Sequence, residues 1–186
     1  MEQAEYYGYS GNRVKGLIFC SRIEEANELS KKFNEHGWRT LALSGADSEE
    51  VRRGAIERLV NDDINELDYI LSVDIFSEGV DVPEINQVIM LRPTQSPIVF
   101  IQQLGRGLRK AEYKEYVVIL DFIGNYEKAG RAPFLLNGGA CVGERTAYDY
   151  SEIEYPDDCI VDFDMRLIDL FREMDKKSLS IQKSLN

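Results

Sequence analysis

The fold is decided by the stretch KGLIFCSRIEEANELSKKF, which spans residues 15–33. Its first six residues form a short, almost wholly apolar run, and the residues that follow place apolar side chains at helical spacing. Ser21 and Glu24 match a capping box between the two parts, and Gly37 is a stop signal for the helix. The stretch therefore predicts a buried strand that leads directly into an amphipathic helix.

The alternation of strand and helix continues along the chain. A capping pattern at Asp47 and Glu50 predicts a second helix, and Ser96 with Pro97 predicts the start of another. Further apolar strands are predicted at residues 38–43, 68–73, 87–91 and 116–120. Short apolar strands that alternate with amphipathic helices are typical of a doubly wound α/β fold, in which helices cover both faces of a parallel sheet. In such sheets, ligands bind beyond the carboxyl ends of the strands.

Composition limits the function classes. The 186 residues carry a formal net charge of -11, so a broad basic face for nucleic acid is excluded, and any such contact must be local. The three cysteines include no C-x-x-C pair, and there is one histidine, so we expect no zinc site, no disulfide framework and no metal site of the chain's own. We expect a cytoplasmic protein without membrane contact, because no signal peptide or membrane-length apolar run is present.

The pattern Q-x-x-G-R-x-x-R occurs at residues 102–109. Arg106 and Arg109 are three residues apart, so on a helix both guanidinium groups can converge on one anion, and their planar forks suit phosphate oxygens. Gly105 and Gly107 are poor residues for a purely structural helix but suit a close approach to a ligand. The alternative is a solvated basic patch at a helix end.

About twenty residues earlier, the segment DIFSEGVDVP follows a predicted strand and occupies residues 74–83. Gly79 permits a close backbone approach, and Asp81 can accept a hydrogen bond from a ribose hydroxyl or pair with an arginine. Taken alone, the segment reads equally well as a polar turn between two strands.

Together and in this order, the two patterns resemble motifs V and VI of superfamily 2 helicases and translocases. The resemblance covers residues 14–126, and the stretch 74–126 is more similar still to bacterial DEAD/DEAH-box helicases grouped with type III restriction subunits and XPB-like enzymes. It implies a RecA-like, P-loop NTPase-type lobe at residues 14–126. Residues 1–13 would then be a linker or an arbitrary boundary, and residues 127–186 a small C-terminal extension.

The resemblance also implies roles for single residues. Arg106 and Arg109 would be catalytic, with one of them the arginine finger. ATP would be contacted by Gly79, Asp81, Gln102 and Gly105, and nucleic acid by Ser21, Arg22, Ser44, Gly45 and Val73. From the residues alone, Ser21 is also a plain helix cap, and the same alternative holds for Ser44 and Gly45.

The chain has no G-x-x-x-x-G-K-[ST] motif and no acidic magnesium motif. The resemblance therefore implies that ATP and Mg²⁺ are bound mainly by a first RecA-like lobe elsewhere in the polypeptide, and that this chain alone does not hydrolyse ATP. Val73 and Gln102 replace residues usual in DEAD-box RNA helicases, which favours DNA over RNA. Two alternatives are a helicase-like module that binds nucleic acid or protein without hydrolysis, and an unrelated α/β phosphate-binding domain such as a transferase.

Overall fold

A computed structural model describes residues 1–63, 65–73, 82–92 and 111–122 of the chain. These residues all belong to the first of two compact units, Met1–Ile123 and Gly124–Asn186. The predicted extension at residues 127–186 and the helix predicted from Ser96 lie outside the described residues.

Three helices and five strands are present in the described part of the chain. The helices are α1 (Glu2–Tyr7), α2 (Ile23–Glu35) and α3 (Glu49–Val60). The strands are β1 (Gly16–Phe19), β2 (Thr40–Ser44), β3 (Tyr69–Val73), β4 (Gln87–Met90) and β5 (Val118–Asp121). Each of the five predicted strands is confirmed, with bounds that shift by one or two residues.

All neighbouring strands are parallel, and their order across the sheet is β2-β3-β1-β4-β5. The first strand in the chain thus occupies the centre. Because the chain moves one way from β1 to β2 and the opposite way from β2 to β3, right-handed crossovers place α2 and α3 on opposite faces of the sheet. The predicted doubly wound parallel sheet is therefore confirmed, and the carboxyl ends of all five strands lie along one edge.

The pleat of the strands divides the core into two layers. One layer joins Ala26 of α2 to alternate residues of four strands; its strand members are Ile18, Tyr69, Leu71, Ile89 and Leu120. On the opposite side, α3 buries Ala55 and Leu59, and neither belongs to the first layer. The helix α2 ends as the sequence predicts, because Gly37 adopts a φ of 89°, a backbone conformation that strains residues with a Cβ.

The ring of Tyr69 lies across the central strand. A Cβ atom added to Gly16 would sit 2.1 Å from the ring carbon Cδ1, so only glycine fits at this position of β1. By crossing Gly16, the Tyr69 hydroxyl reaches β4 and donates a 2.6 Å hydrogen bond to Oε1 of the fully buried Gln87. The three side-by-side strands are thereby joined by a side-chain bond as well as by their backbone ladder.

Residues 1–13, which the sequence predicts to be a linker or an arbitrary boundary, are bonded to the sheet. They contain α1, which buries Ala4, and Gln87 donates from Nε2 to the carbonyls of Ala4 at 2.9 Å and Gly8 at 2.6 Å. The neighbouring Asn86 donates from Nδ2 to the carbonyls of Ser10 at 2.7 Å and Arg13 at 2.8 Å. Buried polar groups need partners, and the segment supplies four carbonyls to this pair. The sequence of 1–13 lacks periodicity because a six-residue helix shows too few turns for one.

An arginine–aspartate cluster closes the amino-terminal edge of the sheet. Asp68 is buried and accepts from Arg39 through three bonds: the backbone N–H at 2.9 Å, Nε at 3.0 Å and Nη2 at 2.9 Å. Arg13 approaches the same carboxylate at 3.5 Å and also donates to the carbonyls of Leu59 and Glu66. The cluster fixes the connection between α3 and β3 against the start of β1.

Candidate nucleotide and nucleic-acid site

Ligand contacts are predicted at the carboxyl edge of the sheet, and the structure describes five of the predicted site residues. Ser44 and Val73 are direct register partners on β2 and β3, so the structure brings these two together. Ser21 and Arg22 follow β1 and are exposed, and Gly45 follows β2 and is exposed. The remaining predicted site residues lie outside the described residues: Gly79, Asp81, Gln102, Gly105, Arg106 and Arg109.

The predicted capping box at Ser21 is wrong in its details. The helix α2 begins at Ile23, its N-cap is Arg22, and no side chain caps it. Instead, the backbone N–H of Ser21 donates to Oε2 of Glu25 at 3.2 Å. The carboxylate that accepts from the Ser21 amide belongs to Glu25, four residues along the chain, and not to Glu24, the partner that the capping box predicted. The amide expected to face a phosphate thus already has a carboxylate partner.

The loop after β2 shows the same arrangement. The predicted cap Asp47 does not cap α3, because Ser48 is the N-cap and its hydroxyl accepts from the N–H of Val51 at 3.3 Å. The Asp47 carboxylate turns back, and its Oδ2 accepts from the backbone N–H of Ser44 at 2.7 Å and from the Ser44 hydroxyl at 3.1 Å. Short acidic side chains often bond nearby backbone groups in this way, which competes with capping.

Gly45 and Val73 differ in what they offer. A Cβ atom added to Gly45 would have nothing within 4 Å, so the backbone there is open to a close approach. The side chain of Val73 packs against the hydrophobic layer on the α2 face of the sheet. Any contact that Val73 makes with a ligand would therefore come from its backbone.

Asp121 is a residue of this edge that the sequence analysis did not select as a site residue. It ends β5, and its Oδ1 is buried without a hydrogen-bond partner in the described structure. Burial raises the pKa of this carboxyl from 3.8 to about 7. The sequence could have indicated Asp121, because it is an acidic residue at the end of an apolar strand. A carboxyl buried at such a place is costly unless it is paired or neutral.

Asp121 shares its row of the sheet with a second buried polar group. The row runs through Ser72, Phe19, Met90 and Asp121, which are register partners on β3, β1, β4 and β5. Register partners in parallel strands point to the same face, so these side chains lie opposite the α2 layer. The hydroxyl of Ser72 is also buried and has no hydrogen-bond partner in this part of the chain.

Cys20 follows β1 near the same edge but is not suited to chemistry. Its side chain is fully buried, and burial, followed by the nearby Glu25 carboxylate, raises the pKa of the thiol to about 12. The thiolate is the nucleophilic and metal-binding form, so Cys20 is a packing residue.

Neither a metal-binding cluster nor a membrane-spanning helix is found in the described part of the chain. Among residues 1–63, 65–73, 82–92 and 111–122, no group of three or more His, Cys, Asp or Glu side chains is arranged to hold a metal ion. Within the same ranges, no helix has the length and apolar character needed to cross a bilayer.

Comparison with known proteins identifies the family. The model of the helicase conserved C-terminal domain matches residues 4–111, a stretch that includes both sequence motifs and the whole described sheet up to β4. The chain therefore belongs to the helicase C-terminal domain family, in agreement with the resemblance to the C-terminal lobe of superfamily 2 helicases that the two motifs carry.

Two curated relatives illustrate the match. The Saccharomyces cerevisiae protein named as the ATP-dependent helicase IRC3 is 32% identical over 108 residues, which cover 58% of this chain and 15% of that protein. The ATP-dependent RNA helicase SrmB of Haemophilus influenzae is 26% identical over 96 residues, which cover 52% of this chain and 21% of that protein. The chain spans only 15–26% of the length of the first curated relatives that it matches.

Two solved structures share the fold. The Escherichia coli DEAD-box protein SrmB, solved with the regulator RraA, superposes with a TM-score of 0.51 at 19% identity, covering 67% of this chain and 66% of that chain. The C-terminal part of the Fun30 ATPase domain superposes with a TM-score of 0.55 at 17% identity, covering 90% of this chain and 48% of that one. The predicted RecA-like fold is confirmed.

Proposed function

We propose that this chain is the second motor lobe of an ATP-dependent helicase or translocase and that it completes a nucleotide site whose other wall is an upstream RecA-like lobe. The observation that carries the proposal is the family match over residues 4–111, which spans the Q-x-x-G-R-x-x-R motif in a chain that lacks a phosphate-binding P-loop. ATP use is supported by relatives named as ATP-dependent helicases.

Within this proposal, Arg106 or Arg109 is the arginine finger. Phosphoryl transfer requires stabilisation of charge on the γ-phosphate, and an arginine supplied from a second lobe makes hydrolysis depend on closure of the two lobes. Gln102, Gly105, Gly79 and Asp81 would line the same cleft. Mg²⁺ would be held by the upstream lobe, since the described residues here provide no cluster of metal ligands.

The described carboxyl edge suggests how nucleic acid is admitted. The backbone amides of Ser21 and Ser44 each donate to a carboxylate, of Glu25 and Asp47 respectively. A carboxylate oxygen at a backbone amide occupies the position that a phosphate oxygen would take. We infer that a strand binds by displacing these two acids, so that contact is restricted to a few amides and to Arg22. This fits a chain whose net charge of -11 opposes non-specific attraction of a polyanion.

Single-stranded DNA and single-stranded RNA are both candidate ligands of this lobe. The replacements at Val73 and Gln102 favour DNA in the sequence analysis, but the comparisons give no support for that preference, because a relative is named as an RNA helicase. Parallel assays with single-stranded DNA and RNA of the same length would decide it.

The decisive experiment uses the full-length protein with Arg106→Ala and Arg109→Ala, and with Arg53→Ala as a control for loss of an exposed arginine. Single-turnover ATP hydrolysis with bound nucleic acid should fall by about 10³- to 10⁵-fold in the variant that lacks the finger, with nucleotide binding largely retained. Arg53 is 68% exposed on α3, and its variant should behave as wild type. Near-wild-type turnover in both motif variants would refute the proposal, and absence of hydrolysis in the wild type would favour the non-hydrolysing binding module.

A further inference from the structure

The strand β2 forms one edge of the five-stranded sheet, and it is an edge without the usual protection in its own sequence. Its residues, TLALS at 40–44, include no charged residue and no proline, the two features that commonly stop an edge strand from pairing with another chain. Because backbone groups alternate in direction along a strand, those of Leu41 and Leu43 face β3, and those of Thr40, Ala42 and Ser44 face outward.

The first outward-facing residue is covered by a side chain of α2. The carboxamide of Asn34 accepts from the N–H of Thr40 through Oδ1 at 2.8 Å and donates to the Thr40 carbonyl through Nδ2 at 3.2 Å. A single side chain thus takes both bonds that a neighbouring strand would make to Thr40. The Thr40 hydroxyl is bonded in turn to Ser30 of the same helix at 2.8 Å, which holds the helix against the edge.

The last outward-facing residue is covered in the same manner from the other side. Asp47 accepts from the N–H of Ser44 through its carboxylate at 2.7 Å, and its own backbone N–H donates to the Ser44 carbonyl at 3.1 Å. Ala42 is therefore the one outward-facing residue of β2 for which the described part of the chain supplies no cover. An open groove beside it is lined by polar residues of α2, among them Asn27 and Lys31, so the edge is reachable from solvent.

We propose that Asn34 and Asp47 act as a pair of edge caps that prevent a second copy of this chain from adding its β2 to this sheet. Strand addition needs a run of free backbone groups, and one residue between two capped ones is too short a run. A second copy is the relevant partner, because an uncharged edge presents the same sequence to itself and has no like charges to oppose pairing. Neither residue lies in the two motifs; the proposal shares the Asp47–Ser44 bond with the nucleic-acid contact inferred above, whereas the Asn34–Thr40 bonds belong to the edge alone.

The test removes the side chains of both caps, which frees the outward N–H groups of Thr40 and Ser44, and measures association of the full chain by sedimentation velocity over a wide range of protein concentration. Asn34→Ala with Asp47→Ala should form dimers that increase with concentration, whereas the wild type should remain unpaired through this edge. A matched double control, Asn27→Ala with Glu50→Ala, removes one amide from α2 and one acid from the first turn of α3, three residues after Asp47, and should behave as wild type.

A third variant separates edge pairing from aggregation of unfolded chains. Ala42→Pro removes the outward N–H of β2 without touching the bonds to β3, so adding it to the double variant should abolish the dimer. Circular dichroism establishes that each variant is folded. A folded double variant that stays monomeric, or a dimer that persists with Ala42→Pro, would overturn the proposal.

Discussion

Tyr69 and Gln87 are joined by a hydrogen bond that passes over a strand lying between them. The hydroxyl on β3 meets the side-chain oxygen on β4 at 2.6 Å, and the ring covers Gly16 of β1 on the way. Gln87 then uses its amide nitrogen to hold Ala4 and Gly8. The absence of a side chain in the centre of the sheet is thus what allows α1 to be fastened to it.

Gly16→Ala should therefore destabilise the fold. The added methyl group would overlap the Tyr69 ring, and overpacking of this kind costs about 1–3 kcal/mol or more. Gly54 in α3 is the control, since an added Cβ there meets nothing within 4 Å and alanine is the better helix former by about 1 kcal/mol. Urea unfolding should give a lower free energy of unfolding for Gly16→Ala and a higher one for Gly54→Ala. Equal changes in the two variants would contradict the described packing.

Tyr69→Phe isolates the hydroxyl. Without its donor, Oε1 of the fully buried Gln87 loses its partner, which should cost about 1–3 kcal/mol of unfolding free energy. Backbone hydrogen exchange should speed up most in α1, because Gln87 holds this helix through the carbonyls of Ala4 and Gly8. Exchange in α1 that matches the wild type would show that the helix is held by other means.

Asp68→Ala tests the cluster at the amino-terminal edge. Removal of the carboxylate leaves Arg13, which is 7% exposed, without its anionic partner, and breaking a buried ion pair costs about 3–5 kcal/mol. Glu28→Ala removes an exposed partner of Lys32 on α2 and should change stability by less than about 1 kcal/mol. Thermal unfolding of both variants at one pH gives the comparison.

Asp121→Asn should change how stability depends on pH. Because burial raises the pKa of this carboxyl from 3.8 to about 7, the folded chain keeps a proton that the unfolded chain has lost between these values. Rising pH therefore lowers the free energy of unfolding of the wild type between these values. Relative to the wild type, the variant should become more stable from pH 3.8 to about 7, and the difference in stability should stay constant above that pH.

Asp62→Asn provides a control of opposite sign. The hydrogen bond and charge of Lys15 hold the pKa of Asp62 below its ordinary value of 3.8. The ionised Asp62 carboxylate stabilises the fold above pH 3.8, and this stabilisation is lost as the pH falls through the lowered pKa. The Asp62→Asn variant should therefore be less stable than the wild type at neutral pH. Parallel curves for Asp121→Asn and wild type would contradict the burial of the carboxyl.

Cys20 should resist alkylation in the folded protein. The side chain is buried and its pKa is raised to about 12, so the reactive thiolate is scarce and inaccessible. Peptide mass spectrometry after iodoacetamide treatment should find Cys20 unmodified under native conditions and modified in denaturant. Rapid native modification would show that the end of β1 opens readily.

The sequence was sufficient for the strands, for α2 and α3 and for the family, because apolar periodicity and motif spacing are local signals. The predicted N-caps of α2 and α3 were wrong, because several acidic side chains near each helix start compete for the same backbone amides. The carboxylates of Glu25 and Asp47 accept from the amides of Ser21 and Ser44. The sequence spacing alone does not show that these bonds form in place of the predicted capping boxes with Glu24 and Glu50.

Features that depend on partners far along the chain were also beyond prediction. The helix α1 is too short to show a helical periodicity, and its anchor Gln87 is the first residue of a strand that was predicted from its apolar residues alone. Asp121 looks like the polar end of a strand until its burial is known. The proposed roles of Arg106 and Arg109 remain sequence-based, since both lie outside the described residues.

The position of β1 has a consequence for synthesis of the protein. This strand leaves the ribosome before the others, yet the neighbours that flank it, β3 and β4, are translated only later. A nascent chain must therefore carry the apolar strand β1 unpaired until its partners emerge, and long-range pairing of this kind is slow. We expect the growing polypeptide to depend on chaperones until β4 has been made.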